Sequence, residues 1–234
     1  MNDPRFGGAL PSQVGVRPDA RLSAGFLSQA FTWMFAGLLL TAGIVWVVQG
    51  DARLTGIARD LFLPAILVEL GLVFGISLLI NRISAIVALG LFFAYAALNG
   101  LTIGLIASVY TVPSVATAFL SAAGMFGAAA VYGAVTKRSL AGLGGILFMG
   151  VIGLLIASVV NIFLQSSLIS FAVSVIGVVI FTALTAYDVQ RIQNGDIAAR
   201  VGSMEKAAVI GALHLYLDFI NIFLFLLRIF GSRR

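Results

Sequence analysis

Residues 207–230 read AAVIGALHLYLDFINIFLFLLRIF, a run long enough to cross ~30 Å of hydrocarbon as one helix, yet it carries His214, Asp218, Asn221 and Arg228. At 100° per residue, Ala207, Gly211, His214, Asp218, Asn221, Phe225 and Arg228 fall on one stripe, and the rest is mostly Leu, Ile, Phe and Val. A carboxylate near mid-membrane costs about 2.5–3.5 kcal/mol on insertion scales. That stripe therefore has to face other helices or a watery cavity, and the helix belongs at the centre of a bundle.

The whole chain agrees with a membrane setting. Of 234 residues, 61% are hydrophobic and 10% charged, and mean hydropathy is +1.11. Soluble domains carry about 25% charged residues. Apolar runs of about 20 residues are continuous, which suits spanning helices and not the ~10-residue alternating segments of a β-barrel. The fold class expected is an all-α membrane protein. The net charge of +5 does not point to nucleic acid, because the basic residues stand singly or in pairs between apolar runs, where they set topology. With no cysteine and one histidine, disulfides, thiol chemistry and the usual zinc sites are excluded. Residues 1–24 are polar and rich in Pro and Gly, and read as a flexible cytoplasmic tail ahead of a transmembrane domain over 25–234.

Seven spans follow: Phe26 to Val48, Leu61 to Ile80, Ser84 to Ala107, Val112 to Val135, Leu140 to Leu164, Leu168 to Tyr187, and Ala207 to Phe230. Short connections predict that consecutive helices are antiparallel neighbours. The longest internal loop, Asp188 to Lys206, holds most of the polar residues outside the tail. Gly71/Gly75, Gly100/Gly104 and the small-residue run from Ala122 to Ala134 read as close-packing positions in a compact bundle. No internal repeat supports an inverted-repeat transporter. Counting Lys and Arg with the N-terminus inside gives nine on the cytoplasmic side, namely Arg5, Arg17, Arg21, Arg82, Lys137, Arg138, Arg191, Arg200 and Lys206. The other side has five: Arg53, Arg59, Arg228, Arg233 and Arg234. This favours a cytoplasmic N-terminus, although Arg233 and Arg234 favour the opposite side for the C-terminus.

Ionisable groups in or beside the spans are Glu69, Arg82, Asp188, His214, Asp218 and Arg228. Arg228 lies near a helix end and reads as a snorkelling anchor. His214, one turn before Asp218, is either a hydrogen-bond partner of that carboxylate or a packed neutral ring. Asp188 closes span six and Asp218 lies within span seven. Two carboxylates meeting in a dry bundle cannot both ionise easily and can share a proton, which makes a proton sensor. With both protons gone they become hard oxygen ligands suited to transient Ca²⁺. Hydropathy alone puts Asp188 at the edge of its run and Asp218 eleven residues into its own, a depth mismatch of roughly 15 Å unless span seven is shifted outward or Asp188 sits deeper than that edge.

The string HLYLDFINIFLFLLRIFG, His214 to Gly231, closely resembles the signature of the Bax inhibitor-1 (transmembrane Bax inhibitor motif) family in its bacterial inner-membrane branch. TALTAYDVQ at 182–190, AALNGLTIGLI at 96–106 and AAGMFGAAAVYGAVTKRSLAG at 122–142 agree. The resemblance implies seven helices, six surrounding a central C-terminal one, and a pH-sensitive Ca²⁺ leak. In some bacterial members it also implies binding to a membrane-bound protease. It further implies that Asp188 and Asp218 are the pH-sensing dyad, hydrogen-bonded and closing the pore when protonated. Arg82 would be the dyad's partner and Glu69 a residue on the ion path, with His214 and Asn221 secondary. No cofactor is expected beyond Ca²⁺ as the permeant ion; the partners expected are protons, Ca²⁺ and the bilayer. An intramembrane aspartyl protease also carries Tyr-Asp and Asp on adjacent spans. Here Leu215-Tyr216-Leu217-Asp218 stands where Gly-x-Gly-Asp would be needed, so the chain does not read as an enzyme. A regulatory membrane protein that binds a protease without conducting remains the other reading.

Overall fold

The computed structural model describes residues 20–232, with side chains from Gly25 onward. The expected tail lies outside the described residues as far as position 19, and helix α1 begins within its predicted bounds, at Ala20. In chain order the helices are α1 (Ala20–Gly50), α2 (Ala52–Asp60), α3 (Phe62–Leu79), α4 (Ala85–Ser108), α5 (Val112–Val135), α6 (Gly144–Leu164), α7 (Ser167–Gln193), α8 (Asp196–Val201) and α9 (Met204–Phe230). Seven of them, all but α2 and α8, are long and apolar enough to cross a membrane. The seven predicted spans map onto these seven.

Helix starts are set locally by polar caps. Ser84, Thr111, Ser166 and Ser203 each sit in extended backbone and accept from the amide three residues on, which satisfies one of the donors a helix start leaves free. Asp51 does the same for Arg53 N at α2. The two-residue link from α6 to α7 turns through Gln165, whose φ of 49° is left-handed. Both short helices fall in stretches the hydropathy leaves as loops, because neither is apolar enough to register as a span.

Helix α9 is the most enclosed span: 72% of its most apolar window is buried, against 11–44% for the others. It packs along α1, α4, α5 and α7 and touches α3 briefly. Helix α3 leans on α4, and α6 on α7. The expectation that consecutive spans pack as neighbours fails for α1 with α3, α4 with α5, and α5 with α6. Short links only bring helix ends together, while small residues decide which flanks meet. A Cβ on Gly100 would meet Ile44 Cβ at 2.8 Å and Thr41 O at 3.0 Å, and one on Gly104 would meet Val48 at 3.2 Å, so this pair seats α1 on α4. Gly133 lies directly against the Ala186 backbone and seats α5 on α7. Gly71 and Gly75, expected to act likewise, have no neighbour within 4 Å and line no close helix crossing.

The loop after α5 is tied down by one side chain of α7. Gln190 Oε1 accepts from Leu140 N at 2.7 Å and its Nε2 donates to Arg138 O at 2.9 Å. Gln190→Ala leaves the buried Leu140 N–H unpaired, a cost of about 1–3 kcal/mol. Limited trypsin digestion in detergent is expected to cut after Lys137 and Arg138 faster in the variant, with α7 itself remaining intact.

Candidate functional site

The polar stripe of α9 is its seam with α7. Gly211 lies against Ile192, His214 against Asp188, and Phe225 against Gly177, an antiparallel register in which Asp218 falls beside Thr185. Asp188 is thus level with His214, about one helical turn, or ~5–6 Å along the axis, from the level of Asp218. The depth mismatch read from hydropathy disappears for a physical reason. Helix α7 does not end at Tyr187 but continues to Gln193, with Val189, Gln190 and Ile192 buried, Gln190 against the loop after α5 and Ile192 against Gly211 of α9.

Both aspartates are buried, Asp188 at 6% exposure and Asp218 at 3%. They line a common cleft of about 360 Å³ between α6, α7 and α9, together with Tyr187, Arg191, Arg200 and His214. Asp188 Oδ1 accepts from Arg191 Nη1 at 3.3 Å and lies 3.5 Å from His214 Nδ1. The Arg191 guanidinium sits 5.2 Å from the centre of the Tyr187 ring, a cation–π contact that steadies it. Asp218 has no cation at ion-pair distance among the described residues. The neighbouring Thr185 hydroxyl donates to Phe181 O at 2.9 Å, and Asp218 Oδ2 is buried without a hydrogen-bond partner. A buried polar atom left unpaired is costly and rare. His214 Nδ1 is likewise buried and unpaired by hydrogen-bond geometry.

Arg82 does not reach this cleft. It is exposed in the turn between α3 and α4 and makes no ion pair among the described residues. The cation beside Asp188 is Arg191, one turn further along the same helix, where the i,i+3 spacing brings the two side chains together. Asn221 is half-buried and spends its amide on Leu217 O of its own helix at 2.8 Å. Arg228 is exposed, with its guanidinium 6.0 Å from the Phe225 ring.

Glu69 is buried but belongs to a second polar cluster. Thr102 Oγ1 donates to its Oε1 at 2.9 Å and Asn99 Nδ2 to its Oε2 at 3.1 Å. Tyr216 OH donates to Asn99 Oδ1 at 3.3 Å and lies 2.6 Å from Thr41 Oγ1, which gives its proton to Ala96 O at 2.8 Å. Tyr216 is two residues before Asp218 and so projects from nearly the opposite side of α9. The cluster therefore joins α1, α3, α4 and α9 on the flank away from the aspartates. Asn99 and Thr102 stand at helical spacing inside an apolar run, a sequence signal that could have identified Glu69's partners; nothing local marks Thr41. Tyr216→Phe is expected to lower stability in detergent by about 0.5–1.5 kcal/mol, the worth of an ordinary hydrogen bond, read as a lower thermal midpoint.

Among the described residues there is no group of three or more His, Asp or Glu arranged to hold a metal ion. Two carboxylates furnish at most four of the six to eight oxygens Ca²⁺ takes, so an ion at this pair would keep part of its water and leave readily.

A family model described as Bax1-I, Inhibitor of apoptosis-promoting Bax1, matches residues 23–234. The chain is 45% identical over 225 residues to "Inner membrane protein YbhL" of Escherichia coli strain K12, covering 94% of this chain and 96% of that protein. It is 44% identical over 209 residues to an uncharacterized protein of Deinococcus radiodurans, covering 89% and 90%. An uncharacterized protein of Borreliella burgdorferi is 42% identical over 214 residues, covering 89% and 92%. With seven helices able to cross a membrane and a match over nearly its whole length, this chain belongs to the family of inhibitors of apoptosis-promoting Bax1, the Bax inhibitor-1 family.

Proposed function

We propose that the protein is a pH-sensitive cation leak, passing Ca²⁺ across the bacterial inner membrane with its N-terminus cytoplasmic, and gated by Asp188 and Asp218. The observation that carries this is Asp218 Oδ2, buried and unpaired in the cleft it shares with Asp188. A carboxylate so placed is stable only while something neutralises it. A proton does so in the closed form and lets the pair attract. When that proton leaves, two negative charges one turn apart repel, α7 and α9 part, and water and cations follow. Arg191 holds Asp188 from one side, and Glu69, on the other flank of α9, is the further acidic group we assign to the ion's path. Location in the inner membrane is supported by the name of the Escherichia coli relative, and orientation by the distribution of Lys and Arg.

The test is Ca²⁺ influx into liposomes holding the purified full-length chain, followed with an encapsulated indicator. Influx above that of protein-free vesicles, rising as pH is raised, is the expected result. Absence of influx at every pH would overturn the leak and favour a non-conducting regulator that binds a membrane protease.

A further inference from the structure

Beside the aspartate cleft lies a smaller pocket of about 110 Å³, lined by Ser77, Asn81, Arg191, Arg200 and His214 among apolar neighbours. Its walls are the last turn of α3 and the turn after it, the end of α7, α8 and α9. No acidic residue lines it.

The donors here are largely unspent. A guanidinium carries five N–H groups in a fixed fork. Arg191 uses one, on Asp188, although only 17% of its side chain is exposed. Asp188 lines the neighbouring cleft and not this pocket. Arg200 donates to no side chain or carbonyl among the described residues and makes no ion pair among them. Two guanidiniums from different elements lining one small pocket, with Asn81 and Ser77 as neutral donors, match an oxyanion with several oxygens and at least one full negative charge. At about 110 Å³ the pocket has room for a small tetrahedral group, and it has no aromatic wall on which a nucleoside base could stack.

We propose that this pocket is a phosphate-binding site, occupied by a free phosphate ion or by the phosphate of an anionic lipid headgroup. Arg200 and Arg191 grip the oxygens, and Asn81 and Ser77 complete the shell. An anion bound there competes with Asp188 for Arg191, so occupancy would be felt at the aspartate pair. The site itself does not depend on the leak reading.

The experiment measures inorganic phosphate binding to the full-length protein in a neutral detergent by calorimetry, with sodium chloride at matched ionic strength as the reference. A second arm measures retention of phosphatidylglycerol over phosphatidylcholine from mixed vesicles of the two. Arg200→Gln is exposed, so the fold should survive, and circular dichroism confirms it; removing one charged partner is expected to weaken binding about tenfold to a hundredfold. Arg59→Gln, in the last turn of α2 and so beyond the far end of α3, should leave binding unchanged. Binding of free phosphate that Arg200→Gln weakens supports the site with a soluble anion. Selective lipid retention that Arg200→Gln weakens, without phosphate binding, supports it with a headgroup. Binding in neither arm, or binding that Arg200→Gln and Asn81→Ala leave untouched, overturns it.

Discussion

Asp218→Asn is expected to abolish the pH response of Ca²⁺ influx and to hold it near the closed level at every pH. An amide is neutral, as the protonated acid is, and cannot acquire the charge that drives the two helices apart. Influx at high pH should fall by about tenfold or more, the change that follows from losing about 1.4 kcal/mol of ion stabilisation. Stability in detergent should not fall, because the side chain replaced has a buried oxygen with no partner. Asp188→Asn should flatten the response too. It also removes the carboxylate that holds Arg191, so its closed level need not equal that of Asp218→Asn. A persisting pH response in Asp218→Asn would separate the leak from this pair.

Gly133→Val should be the most damaging single change to the bundle. Even a Cβ at this position would run into the Ala186 backbone, with Ala186 C and Cα both at 2.9 Å, and backbone cannot yield as a side-chain tip can. Overpacking of this kind costs about 3 kcal/mol or more, lowering the thermal midpoint in detergent by about 6–12 °C if the scaling for soluble proteins of this length carries over. The matched control is Gly71→Ala, which meets nothing within 4 Å and should stay within about 0.5 kcal/mol of the parent. Equal losses in the two variants would mean that small residues here serve helix propensity and not helix contact.

The contrast between those two glycines shows where the sequence was legible. The pattern small-xxx-small identifies a position that can be approached closely, but only the partner helix decides whether it is. Gly100 and Gly104 have α1 across from them, while Gly71 and Gly75 have nothing. The stripe on α9 was readable because a charge in the membrane leaves so few choices; that it faces α7 was not, since periodicity gives a direction and no partner. The depth of Asp188 was left open for a similar reason: spacing could not tell an outward-shifted span seven from an Asp188 lying deeper than its apolar edge, and the second is what α7 has. Hydropathy tracks polarity, and the polar last turn of α7 is buried against the loop after α5 and against α9, not by lipid. Arg191, the cation beside Asp188, was visible as an i,i+3 pair, but its position past the apolar edge made it look like loop. The links from Glu69 through Asn99 and Tyr216 to Thr41 join residues as much as 175 positions apart, and no local spacing reveals them.

The proposed gate requires that the charges of Asp188 and Asp218 be coupled across the cleft they share. Infrared spectroscopy of protein carrying carboxyl-labelled aspartate follows the protonated carboxyl band against pH in the parent, Asp188→Asn, Asp218→Asn and the double variant, the last supplying the background from other aspartates. Coupling requires that the parent curve differ from the sum of the two single-variant curves, with two separated steps where each single variant has one. A parent curve equal to that sum would mean two independent acids, and the gate described here would have no basis.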